Sequence, residues 1–258
     1  MSAAPVLPAS PVPTPEPATL SEGARILNTF IAPSKTFTDL GRNAKWWSWV
    51  LPWLLVGIFS ILFAYAVGQK IGYARATENV LQGRPKQYDR IQAMSPADRD
   101  KTMQQAEKQT MIGSYLFPVT DLILLLIVAA VLLGSFKFGT NAKVSFKLVL
   151  AIVAYASLPG ILKFLLATVT LFAGIAPDTF NLQNPVATNL GAFFSATDTP
   201  VLYAAGSFID VFSIWTLALT AIGFTCVSKV ERGTALFVVF AWYIVFAGFI
   251  LGLVALFA

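Results

Sequence analysis

The sequence predicts an all-α integral membrane bundle of five transmembrane helices, N-terminus inside and C-terminus outside. Three observations carry this. Charged residues are 12% of the chain against 56% hydrophobic, whereas a soluble domain carries about 25% charge. Five apolar runs are each long enough to cross a hydrocarbon core about 30 Å thick as a helix. Lysine and arginine flank alternate connections, the bias that marks cytoplasmic sides. A mean hydropathy of +0.69 and 21 phenylalanines suit helices that face acyl chains.

Residues 1–18 contain six prolines (Pro5, Pro8, Pro11, Pro13, Pro15, Pro17). That density blocks helix and sheet, so a disordered Pro/Ala-rich tail is expected. It has neither the basic start nor the apolar core of a signal peptide. Residues 19–45 read as an interfacial amphipathic segment. Thr19-Leu20-Ser21-Glu22 fits a capping box with Thr19 as N-cap. Leu27, Phe30 and Ile31 fall on one side of the helix it would start, and Pro33 ends that helix. Ser34 then caps a turn carrying Phe37 and Leu40.

Residues 46–258 hold the five spans. The first runs from Trp46 to Gly68, with Trp46, Trp47, Trp49 and Trp53 as an interfacial belt and Pro52 in its first turns. A polar connection, 69–112, follows as an extracytoplasmic helical insertion. Within it Ser95-Pro96-Ala97-Asp98 predicts a helix start, with serine as N-cap and proline at the first helical position. The second span is Ser114 to Phe138, and the third, Ser145 to Ala173, is interrupted by Pro159-Gly160. Either one kinked helix or two half-helices fits that pair. The fourth is Gly206 to Val227 and the fifth Thr234 to Phe257.

Orientation follows from the basic residues. Arg25, Lys35, Arg42 and Lys45 precede the first span. Lys137, Lys143 and Lys147 lie around the second connection into the third span, and Lys229 and Arg232 join spans four and five. Residues 174–205 contain no lysine or arginine. Only 69–112 departs, with eight basic and five acidic residues, and long connections translocate with less regard to charge.

Three ionisable residues lie inside the spans: Asp121, Lys163 and Asp210. Each is costly in lipid unless paired or wetted. At about 1.5 Å per residue all three fall in the outer half of the bilayer. The expectation is an intramembrane polar cluster with Lys163 between the two aspartates. It serves either as a charge pair that registers three helices or as part of an ion or substrate pathway. Pro159-Gly160 is a helix break that either shapes packing or frees carbonyls for a ligand. Gly248-x-x-x-Gly252 is a possible helix-contact face.

The chain has no histidine and a single cysteine, Cys226. Histidine-based acid–base chemistry, His/Cys zinc sites and an internal disulfide are therefore excluded. No nucleophile elbow, P-loop or glycine-rich nucleotide fingerprint occurs. Asp121 and Asp210, in VTDLIL and FIDVFS, do not match an intramembrane aspartyl protease. The expectation is no enzyme, no metal and no cofactor. The dispersed basic residues also give no nucleic-acid face. The partners expected are the lipid bilayer and a membrane protein or a second copy of the chain.

Four stretches together resemble the Yip1 domain family, particularly its bacterial branch. They are Phe30-Ile31-Ala32-Pro33 with Phe37; Ala154-Tyr155-Ala156-Ser157-Leu158-Pro159; Asn184-Pro185 to Leu190-Gly191; and Asp210-Val211-Phe212-Ser213-Ile214-Trp215 with Gly223. The eukaryotic Asp-Leu-Tyr-Gly-Pro signature is absent, and Asp39-Leu40-Gly41 is a fragment of it. The resemblance implies five helices, a cytosolic N-terminal region and a place in a bacterial inner membrane. It implies no assigned activity. Eukaryotic members are linked to Rab-type GTPases, but no such partner carries over without the signature. Together with the missing chemistry, this points to a non-enzymatic protein that organises or assembles with membrane components. A small transporter or channel using the buried charges is the alternative.

Overall fold

The computed structural model describes residues 19–257; the proline-rich segment 1–18 lies outside them. Every regular element among the described residues is a helix. Two short amphipathic helices come first, α1 (Glu22–Ile31) and α2 (Pro33–Asn43). Ser21, not Thr19, caps α1: its hydroxyl accepts the Ala24 amide at 3.2 Å. Ser21 stands three residues before that amide, where an N-cap side chain reaches. Glu22 thereby becomes the first helical residue. Phe30 packs toward the bundle, while Leu27 and Ile31 remain exposed.

Helix α3 (Val50–Lys70) follows a turn that carries Trp46 and Trp47 at the surface. The polar connection folds as α4 (Tyr73–Gln82), α5 (Pro85–Gln92) and α6 (Pro96–Tyr115). Ser95 caps α6 on the Asp98 amide at 3.3 Å. Leu116 then separates α6 from α7 (Phe117–Gly139), whose first turn carries Pro118. Proline lacks the N–H that would extend α6, so the second span starts at Phe117 rather than Ser114.

The third run is α8 (Phe146–Ala156) and α9 (Pro159–Phe172). Ser157 and Leu158, between them, keep right-handed helical dihedrals. The run is one kinked 27-residue span. Pro159 forces the kink, and its neighbourhood absorbs the loss locally. The Leu158 amide shifts to the Tyr155 carbonyl at 3.2 Å, and the Ser157 hydroxyl donates to Ala154 O at 2.8 Å.

The fourth run departs from the sequence expectation. Gly206–Val227 is not one helix; it breaks between α10 (Pro200–Phe208) and α11 (Val211–Val227). Asp210 is extended (φ −111, ψ 136) and caps α11 with its own carboxylate. Hydropathy alone hides this, because an aspartate followed by two amides within reach prefers a cap to a helix interior. The last helix is α12 (Arg232–Phe257). Four helices are long and apolar enough to cross a membrane: α3, α7, the joined α8–α9 and α12. The apolar α11 is shorter.

The core is built around α8. An all-round apolar helix belongs inside, and Val149–Ala156 is buried throughout. Around it lie Phe37 and Leu40 of α2, Phe136 of α7 and Phe224 of α11, all fully buried. Phe136 and Phe224 stack at 3.7 Å between ring centres. A smaller cluster at the other end joins Phe63 and Val67 of α3 to Leu171, Phe180 and Val186.

Gly223 lets α2 and α8 close on α11. A Cβ there would collide with Ile152 and lie 3.2 Å from Phe37 Cδ1. Gly223→Leu is expected to cost about 1–3 kcal/mol through overpacking, seen as a lower unfolding midpoint in detergent. An unchanged midpoint would mean this close approach does not contribute.

Candidate functional site

Lys163 stands one turn beyond the kink on α9, and Asp210 at the start of α11. Lys163 Nζ lies 3.3 Å from Asp210 Oδ2. The aspartate side chain is 1% exposed and the lysine 31%. Oδ2 also accepts the Thr188 hydroxyl at 2.6 Å. Oδ1 accepts the amides of Phe212 and Ser213 at 3.0 and 3.1 Å. One carboxylate therefore satisfies orphan donors of α11, complements its positive end and holds a cation from another helix.

The surroundings close the same break. The Val211 amide donates to Thr188 O at 3.1 Å and the Leu190 amide to Ile209 O at 3.3 Å. Tyr243 of α12 donates to Phe208 O, at the end of α10, at 2.7 Å. Asn184 and Asn189 exchange side-chain hydrogen bonds at 3.1 and 2.5 Å. Gly191 and Gly206 allow the approach of connector and α10: a Cβ on Gly206 would lie 2.6 Å from Gly191 N. The sequence stretches 184–191 and 210–215 are thus one packed unit.

The third expected member is elsewhere. Asp121 lies on α7 and shares no ion pair or hydrogen bond with Lys163 or Asp210 among the described residues. Its Oδ2 is buried without a hydrogen-bond partner. The cluster expected from sequence is a pair plus a separate aspartate. Neither Pro159 nor Gly160 is hydrogen-bonded to this pair among the described residues; the Gly160 amide bonds Ser157 O at 2.9 Å.

A second charge network was not anticipated as a unit. Arg25 is 3% exposed and sits between two acids, with Nη1 2.7 Å from Glu22 Oε1 and Nε 2.7 Å from Asp39 Oδ2. Asp39 also accepts the Leu20 amide at 3.2 Å and the Asn43 side chain at 2.9 Å. The buried hydroxyls of Thr29 and Thr36 both donate to Arg25 O at 2.8 Å. The Tyr155 hydroxyl, from the buried α8, donates to Glu22 Oε2. This chain ties the α1–α2 hairpin to the third span. The local signal was the Glu22/Arg25 spacing of three residues; the Asp39 and Tyr155 partners are set by tertiary packing.

Burial alone would raise the Asp39 carboxyl. The hydrogen bonds from Asn43, Arg25 and the Leu20 amide, with the adjacent guanidinium, outweigh it and hold the group below its usual 3.8. Burial would likewise lower Arg25, but the Asp39 bond and the acids beside it raise it. A depressed carboxylate contributes stability above its unfolded value and loses it as pH falls through the lower folded value. The hairpin contribution should therefore be intact at neutral pH and disappear below about pH 4, read as a falling unfolding midpoint. Arg25→Met should cost about 3–5 kcal/mol, because it leaves the buried Asp39 carboxylate without its counter-ion. A loss no larger than that of an exposed ion pair would contradict the network.

No curated protein and no solved structure matches the chain. The family model described as Yip1 domain matches residues 27–254, a range that includes α2, the kinked third span, the Asn184–Gly191 connector and Asp210. With nearly its whole length matched and its long apolar helices in place, the chain is a membrane protein that belongs to the Yip1 domain family.

Proposed function

We propose that this chain is a non-enzymatic integral membrane protein with five spans, N-terminus inside and C-terminus outside, that assembles with other membrane components. The observation that carries the reading is α12. This helix has 26 residues and is apolar all round, yet only Ala235, Val239 and Ala247 are buried among its described side chains. Gly248 and Gly252 have open space where a Cβ would stand. Lipid covers an uncovered apolar helix by default. Two glycines one turn apart let a second helix approach backbone to backbone.

The five-span reading rests on α11. Its 17 residues reach about 26 Å, and α10 extends the apolar run beyond Asp210. Gly41 packs on Val227 and Phe136 on Phe224, which supports placing Arg42, Lys137 and Lys229 at one end of the bundle. That end is then cytoplasmic by the charge bias, in a bacterial inner membrane by the resemblance of the sequence. A reporter fused after Ala258 should be active only outside; a cytoplasmic signal would sink the orientation.

Cysteine cross-linking tests the assembly. In a Cys226→Ala background, Gly248→Cys in native membranes is expected to form a disulfide-linked dimer or a single heavier adduct. Monomer alone, at every oxidant concentration, would refute assembly through this helix.

The transporter alternative is favoured by one observation, the unpartnered oxygen of Asp121. Buried carboxylates within spans often mark ion pathways. Ion flux in reconstituted vesicles that vanishes in Asp121→Asn, with folding retained, would establish it. Asp210→Asn is expected to act mainly on stability, since it weakens the Lys163 pair and the cap together.

A further inference from the structure

A cleft of about 620 Å³ opens at the end of the bundle opposite the α1–α2 hairpin. Its walls are α4, through Asn79 and Gln82, the last turns of α9, through Leu166 and Thr170, the connector after α9, and α10 through Tyr203. The volume is within the range of small-molecule sites.

The chemistry of the lining is specific. Amides and hydroxyls converge on the cleft, and Asp178 is its one charged side chain. Among the described residues no lysine or arginine lines the cleft. Arg75 is engaged by Glu78 at 3.0 Å and Asp178 at 3.3 Å, and Lys163 is held by Asp210. A phosphate would find no counter-charge in the lining, whereas a neutral polyol meets the side-chain amides of Gln82 and Asn181 and the Tyr203 hydroxyl. Tyr203 and Phe194 add aromatic surface for the C–H faces of a sugar ring.

The cleft is also preformed. The Asn79 amide donates to the carbonyls of Pro177 and Phe180, both at 2.7 Å. The Asn184–Asn189 exchange and the Thr188–Asp210 bond fix the opposite wall. Leu166 belongs at once to the cleft and to the exposed apolar face of α9, beside Leu162, Leu165 and Val169. A ligand in the cleft is therefore in reach of acyl chains lying along α9.

We propose that this cleft binds a neutral, hydroxyl-rich head group such as a sugar, carried on a lipid whose chains lie against the Leu162–Val169 face of α9. The site is independent of the assembly reading above and requires no transport.

The full chain, purified from vesicles of phosphatidylglycerol and diglucosyl-diacylglycerol, supplies the test by native mass spectrometry of retained lipid. The expected result is at least tenfold enrichment of the glycolipid. Ala192→Trp, which fills the cleft from an exposed position, should abolish the enrichment with the unfolding midpoint unchanged. Should that variant misfold, Thr170→Val removes one lining hydroxyl at constant volume and should lower the enrichment several-fold. Free maltose that displaces the glycolipid, and fails to bind Ala192→Trp, supports the same polyol chemistry; maltose binding with no glycolipid enrichment moves the source to a soluble sugar and overturns the lipid part. Equal retention of both lipids, no retention of either, or enrichment unaffected in both folded variants overturns the proposal.

Discussion

The carboxylate of Asp210 decides how the far half of the bundle is built. In lipid, a helix end without partners for its amides is costly. The chain nevertheless breaks at Ile209–Asp210. The break is tolerable because one side chain accepts two amides, a threonine hydroxyl and an ammonium group. From that point the connector 184–191 is pinned to α10 and α11, and α12 is pinned to α10 through Tyr243. Lys163 contributes position as well as charge. It joins the segment after the kink of the third run to α11, the segment after the break at Ile209–Asp210.

The same logic operates at the other end with opposite sign. There a buried arginine is the centre and acids surround it. Burying a lone guanidinium would be prohibitive, and each acid beside it also needs donors. Every member has them: Asp39 from Asn43 and Leu20, Glu22 from Tyr155, and the Arg25 carbonyl from two threonines. A fully satisfied network of this kind specifies one docking geometry, whereas apolar packing alone leaves helices free to slide.

Much of this was legible in the sequence, residue by residue, where the physics is local. Apolar run length located α3, α7, the third run and α12. Proline chemistry placed the kink at Pro159 and the start of α6 after Ser95. The failures are also physical. Hydropathy windows averaged over Asp210 and saw one helix, although an aspartate two residues before a free amide is a capping signal. Ser21 displaced Thr19 as cap because two competent residues stood two positions apart. Depth along the membrane placed Asp121 level with Lys163, but depth says nothing about rotation around the helix axis. Arg25, Asp39 and Tyr155 span more than a hundred residues of sequence, and only tertiary packing brings them together.

The hairpin network has a consequence for motion. Glu22, Arg25, Asp39 and Tyr155 share their hydrogen bonds in series, so the departure of any one takes a bond from its neighbour. Partial peeling of α1 would strand charges before it gained any freedom. Docking of the N-terminal helices is accordingly cooperative, an all-or-none step of local opening rather than a gradual fraying.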